Sequence, residues 1–199
     1  MKTSMTWAWA AFAISASACP ASNPQETSLE PSSPMGASVR PTLGPDEKRY
    51  AGTYTYAGTP AERAAVEAAV DRATEGMIGR GIARSELMKR SEIRPSYTIG
   101  FDGKGNVSVE TPGFPTESSP LDGTEVKMKD KYGDVSDSSQ RFVGGALLQL
   151  GRTGDGSGST QFVLQPDAST LLVTRVMKSS KLPGPVEFTL TYVRQPRAP

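Results

Sequence analysis

The chain has no histidine and a single cysteine in 199 residues. Without histidine there is no Ser-His-Asp triad, no Cys-His pair and none of the usual zinc sites. The commonest general base and metal ligand is gone as well. One cysteine rules out an internal disulfide. An excess of one charge sign is also missing, since Lys+Arg 22 against Asp+Glu 21 leaves a net charge of +1. No strong pull toward nucleic acid or an anionic membrane follows from that balance. Long apolar runs are scarce, and Met5 to Ile14 falls well short of the roughly 20 residues a spanning helix needs. What is present, 36% hydrophobic and 22% charged residues, suffices to bury a core, and the length allows about one domain with tails.

The lone cysteine has a telling position. Lys2 supplies a positive start, Met5 to Ile14 an apolar run, and Ala16-Ser17-Ala18 small residues directly before Cys19. That is the layout of a secretory signal. With Cys19 after the small residues, the stretch resembles a bacterial lipoprotein signal, although Ala16 stands where a leucine is commoner, and plain secretion stays open. The resemblance implies a diacylglyceryl thioether on Cys19, with palmitate-like acyl chains holding the protein to a membrane of the cell envelope and the domain facing the periplasm or cell surface. Each buried lipid CH₂ contributes about 0.8 kcal/mol of membrane affinity. Pro20 occupies the place where an aspartate would resemble an inner-membrane retention signal.

Four segments follow from composition and pattern: a signal at 1–19, a tether at 20–48, a domain at 49–195 and a tail at 196–199. The tether is rich in Pro, Ser and small polar residues, which cannot bury enough apolar area to offset ordering. In "RYAGTYTYAG" Tyr50, Gly52, Tyr54 and Tyr56 alternate with other residues, as in a strand. "TPAERAAVEAAVDRATEGMIGRG" then takes helical spacing. Thr59 and Glu62 fit a capping box, Pro60 falls at the first helical position, and Val66, Ala69, Val70, Ala73 and Met77 share a face. Arg63 and Glu67 form an i,i+4 pair. "ARSELMKRSEI" predicts a second helix ending before Pro95, so both helices lie within 59–93. The remainder alternates as strands: "SYTIGF" and "NVSVET" about a "DGKG" turn, then "TEVKMKD", "SQRFV", "ALLQLGR", "TQFVLQP", "TLLVTRVMK" and "VEFTLTYVR". The expected fold is mainly β, an antiparallel barrel of about eight to nine strands with a helical excursion after the first.

This order of strand, helix pair and uninterrupted meander resembles the calycin group, and in particular the fatty-acid-binding branch, where a helix pair after the first strand caps the barrel mouth. The Gly-x-Trp signature of true lipocalins is absent, because Trp7 and Trp9 both lie in the signal. One face of the last strand carries Val186, Phe188, Leu190, Tyr192 and Arg194, and one face of the strand before it carries Leu171, Val173, Arg175 and Met177. If both point inward, a cation lies beside Tyr192 in the cavity and suits an anionic head with an apolar tail. The fatty-acid-binding family places an Arg-x-Tyr pair in its last strand for this purpose. Here the order is Tyr192-Val193-Arg194, so the resemblance implies Arg175, Tyr192 and Arg194 as ligand-binding candidates; a solvated Arg194 and a surface Arg175 are the alternative.

Other motifs carry less. Gly151 to Thr160 lacks the Lys-Ser/Thr ending of a phosphate loop and leads into no helix, so it predicts a hairpin. Asp102 opens a turn that lacks calcium-loop ligands, and Asp130, Asp134 and Asp137 read as loop charges. No catalytic residue, metal site or cofactor emerges, and the expectation is a non-enzymatic protein. Two functions compete: a lipid-anchored barrel holding an apolar or amphiphilic small molecule, or an envelope interaction module with a packed barrel and an unknown protein partner. A carboxylate-only hydrolase ranks behind them. The anchor is tested directly: Cys19→Ser is expected to move the protein from the membrane pellet to the soluble fraction. Retention in the pellet after a carbonate wash would contradict the anchor.

Overall fold

The computed structural model describes residues 45–196. The expected signal, Cys19, the tether up to residue 44 and the last three residues lie outside the described residues. Pro45–Tyr50 form a short helix, α1, which starts before the expected boundary at Arg49. Strand β1 (Gly52–Tyr56) leads into helices α2 (Pro60–Ala73) and α3 (Arg80–Arg90). Nine more strands follow: β2 (Ser96–Phe101), β3 (Asn106–Glu110), β4 (Glu117–Pro120), β5 (Val126–Lys129), β6 (Val135–Val143), β7 (Ala146–Arg152), β8 (Gly156–Leu164), β9 (Thr170–Ser179) and β10 (Val186–Arg194). Among the described residues no helix is long and apolar enough to cross a membrane.

All ten strands form one antiparallel sheet in the order β4-β3-β2-β1-β10-β9-β8-β7-β6-β5. The sheet curls into a nearly closed barrel. The segment after β4 meets β6 through an Asp122–Arg141 bridge and a hydrogen bond from Gly123 N to the Gln140 carbonyl at 3.0 Å. The strand count is ten rather than eight to nine. The unexpected strand, β4, reads "ESSP" and has no aliphatic alternation to announce it. Its proline is tolerated because β4 is an edge strand.

Strand register sorts the inward side chains into levels, because residues directly opposite each other share a face. At one level Phe142, Leu147, Phe162, Val173 and Leu190 lie side by side across β6 to β10. The next level carries Gln140, Gln149, Thr160, Arg175 and Phe188, and the one beyond it Ser138, Gly151, Gly158, Met177 and Val186. The first level is the closed core, with Leu147, Phe162, Val173 and Leu190 all 0% exposed.

The two ends of the barrel are finished differently. At the core end Gly144 and Gly145, with φ of 57° and 79°, make the tight β6–β7 turn, a left-handed conformation that glycine adopts at little cost. Tyr50 of α1 reaches this turn, donating to the Gly145 carbonyl at 2.7 Å and accepting from Leu164 N at 3.0 Å. Toward the other end, β1 stops at Tyr56, opposite Tyr192, while β10 continues away to Val186. Helix α2 packs against β10 and buries Val66, Ala69, Val70 and Ala73 in the barrel core.

The start of α2 departs from the expected capping box. Thr59 makes no side-chain cap. Instead the Glu62 carboxylate accepts from Thr191 N at 3.0 Å and Thr191 Oγ1 at 2.7 Å, where the β1–β10 ladder ends. Arg63 lies over the Tyr56 ring at 5.2 Å rather than pairing with Glu67. Val70, fully buried, tests the docking of α2. Val70→Asp is expected to cost about 3 kcal/mol or more and to lower the Tm by roughly 6–12 °C, read by thermal circular dichroism. An unchanged melting curve would show that α2 is not held on the barrel.

Candidate functional site

A cavity of about 750 Å³ opens beyond the closed core, under α3 and the turns that follow β5, β7 and β9. Arg94, Glu117, Gln149, Thr160, Arg175 and Met177 line its inner part. A smaller cavity of about 190 Å³ shares Arg94, Glu117 and Arg175.

Arg175 points inward from β9, as its register predicts, opposite Thr160 on one side and Phe188 on the other. Its guanidinium lies 5.7 Å from the Phe188 ring centroid. It donates to the Arg90 carbonyl at 3.1 Å and the Glu92 carbonyl at 3.3 Å, binding the carbonyl end of α3, where a cation is favoured.

Arg94 enters from the segment between α3 and β2. Its carbonyl accepts from the Tyr192 hydroxyl at 3.0 Å, and its guanidinium lies 3.3 Å from the Phe114 ring centroid. The buried Nε has no hydrogen-bond partner among the described residues. Burial pulls the Arg94 pKa below the usual arginine range, and the neighbouring Arg175 charge adds to the effect. Among the described residues neither arginine lies within ion-pair distance of a carboxylate.

Glu117 faces the arginines from β4. Its Oε2 accepts from Gln149 Nε2 at 2.5 Å and its carbonyl accepts from Gln140 Nε2 at 3.3 Å. Burial raises its carboxyl above the usual glutamate range, against the pull of Arg94, Arg175 and Gln149. The cavity thus joins two permanent cations to one carboxylate that resists ionisation.

Tyr192 lies in the core beneath the cavity. Its ring packs edge-on against Tyr97 at 5.0 Å and Tyr56 at 5.6 Å, and Tyr97 packs likewise against Phe162 at 5.2 Å. Tyr192 is fully buried. Burial, then the nearby Tyr97, holds its hydroxyl above the usual tyrosine range. Tyr192 therefore positions Arg94 and does not line the cavity.

Arg194 lies elsewhere. It donates to the Arg49 carbonyl and the Tyr54 hydroxyl at the core end. Six residues of strand, roughly 20 Å, separate it from Phe188 beside Arg175. The structure therefore brings together Arg175 and Tyr192 of the three candidates, and adds Arg94, Glu117 and Gln149. The cavity has a polar wall of Ser136, Ser138, Gln149 and Thr160.

The rim is tied by charge. Arg90 of α3 lies 2.7 Å from Asp134 and 3.6 Å from Asp130, and the Tyr132 hydroxyl donates to the Lys89 carbonyl at 2.9 Å. Asp137 pairs with Lys127 at 2.6 Å. No group of three or more His, Cys, Asp or Glu residues that could hold a metal occurs among the described residues.

Glu117 yields a pH prediction. A carboxyl whose folded pKa is raised adds stability below the unfolded value, and that stability is lost as pH rises through the folded value. Glu117→Gln keeps an acceptor for Gln149 and removes this dependence. The variant's Tm advantage over the parent is expected to grow from the ordinary glutamate value, 4.5, upward through the raised one. A difference independent of pH in melts from pH 4 to 8 would contradict the raised pKa.

No protein-family model matches the chain, and no curated protein matches its sequence. Solved structures do match in fold. The ligand-free lipid binding protein 8 of Caenorhabditis elegans superposes with a TM-score of 0.50 at 12% identity, covering 74% of this chain and 96% of that one. The fluorescent protein UnaG superposes with a TM-score of 0.50 at 14% identity, covering 74% of this chain and 98% of that one. The chain has the calycin-like barrel fold of the fatty-acid-binding type.

Proposed function

We propose that the barrel binds a small amphiphile through its anionic head and performs no chemistry on it, as a protein held by Cys19 in the bacterial envelope. The observation that carries this reading is the convergence of Arg94 and Arg175 on one cavity without a carboxylate at ion-pair distance. A ligand carboxylate, sulfate or phosphate would neutralise them, and guanidinium groups bind such anions through strong charge-assisted bonds. The volume, about 750 Å³, lies in the range of small-molecule sites. The fold shared with a protein named for lipid binding is consistent with this use. An interaction module needs a filled interior, and the open cavity speaks against that alternative.

The test is native mass spectrometry of the Cys19→Ser chain beside the same chain with Arg175→Ala or Arg94→Ala. A bound anionic molecule, or added dodecyl phosphate, is expected on the parent. Each arginine loss should weaken binding by about tenfold to a hundredfold, the worth of one hydrogen bond to a charged group. A parent that stays empty with dodecyl phosphate, or binding indifferent to both variants, would overturn the reading.

A further inference from the structure

The cavity carries information about the head beyond its charge. We infer that the ligand's head is a hydroxylated acid of the sugar-acid kind, which enters head first and leaves its apolar tail at the rim. The inference rests on the anion-binding reading above.

The interior excludes a long tail. The level below the cavity holds Leu147, Phe162, Val173 and Leu190, each 0% exposed, and none of them lines either cavity. Tyr97 and Tyr192 close the floor beside them. An alkyl chain directed inward therefore meets packed core, and making room would cost the packing energy of several large side chains.

The wall favours hydroxyl groups. Strands β6 to β8 present Ser136, Ser138, Gln149 and Thr160 to the cavity. The Ser136 and Thr160 hydroxyls have no hydrogen-bond partner among the described residues. A methylene chain against this wall would cover polar groups without replacing their water bonds, whereas a hydroxylated ring would pair with them. The rim is suited to the other end of the molecule, where Met77 and Leu87 border the opening.

Two glycines supply an independent observation. Gly151 and Gly158 are direct cross-strand partners on the inward face. A Cβ on Gly151 would meet nothing within 4 Å, and one on Gly158 only the Val176 carbonyl at 3.7 Å. Neither has a positive φ, and glycine weakens a strand interior. Neither backbone geometry nor packing requires them. Their missing side chains leave flat backbone open to the cavity, a surface on which a ring can lie between the arginines and the rim.

The experiment is calorimetric titration of the full chain carrying Cys19→Ser with three amphiphiles that share an eight-carbon tail: octyl glucuronide, nonanoate and octyl glucoside. Octyl glucuronide is expected to bind at least tenfold more tightly than either of the others. Gly151→Val and Gly158→Val, which place methyl groups over the open backbone, are expected to erase that advantage while leaving the Tm unchanged or raised. If nonanoate binds as tightly as the glucuronide, and Arg175→Ala abolishes both, the sugar-acid head is wrong and the anionic site stands. If octyl glucoside matches the glucuronide, or none of the three binds, the anion-binding reading falls too. Full glucuronide affinity in both glycine variants would also overturn the inference.

Discussion

Cross-strand register is the constraint on which the rest of this structure depends. Because direct partners share a face, one phase error in any strand would send its inward residues to solvent. Held in phase, β6 to β10 stack an apolar level, a polar level and a level that pairs Gly151 with Gly158. The apolar level supplies the packed area that stabilises the barrel. That stability permits the next level to bury Gln140 and Gln149 and to half-bury Thr160 and Arg175. Core and cavity are therefore successive rungs of the same ladders, and Tyr192 links them, its ring in the core and its hydroxyl on the Arg94 carbonyl.

Electrostatics decides what the polar level favours. Arg94 and Arg175 are both guanidinium cations, and their charges must be compensated from outside themselves. Glu117 compensates only in part, since burial favours its neutral form and its hydrogen bond runs to Gln149 rather than to a cation. Arg175 is further engaged with the neutral carbonyls of Arg90 and Glu92, which are weaker partners for a guanidinium than an oxyanion. The site thus retains unmet positive charge in a confined space. Its opposite at the far end, Arg194, meets the Tyr54 hydroxyl and the Arg49 carbonyl and faces no cavity.

The sequence is legible wherever period and composition agree. Alternation marks nine of the strands, and the shift to helical spacing after Thr59 marks α2, whose expected apolar face Val66, Ala69, Val70 and Ala73 is buried. β4 is illegible because Glu117-Ser118-Ser119-Pro120 has no apolar phase to read. Arg94 and Glu117 are therefore missed, one in an irregular segment before Pro95 and the other on an unseen strand. Gln149 and Thr160 did carry a signal, each two residues from a core residue, Leu147 and Phe162. A polar residue in phase with buried apolar ones marks an inward polar level. Arg194 shows the limit of that reasoning, since phase assigns a side chain to a face but not to a level along the barrel axis.

The length of β1 accounts for the place where the helices leave the barrel. It has five residues where β10 has nine, so β10 continues without a β1 partner from Leu190 to Val186. An unpaired backbone there would be left with unsatisfied donors and acceptors. The Glu62 carboxylate takes the Thr191 N–H in place of a strand carbonyl, and α2 covers the apolar side chains that follow. Extending β1 would pair this part of β10 but remove the site from which the helices depart. The shortened strand thereby joins two outcomes in one feature, a stretch of β10 without a strand partner and the helix α2 placed over it.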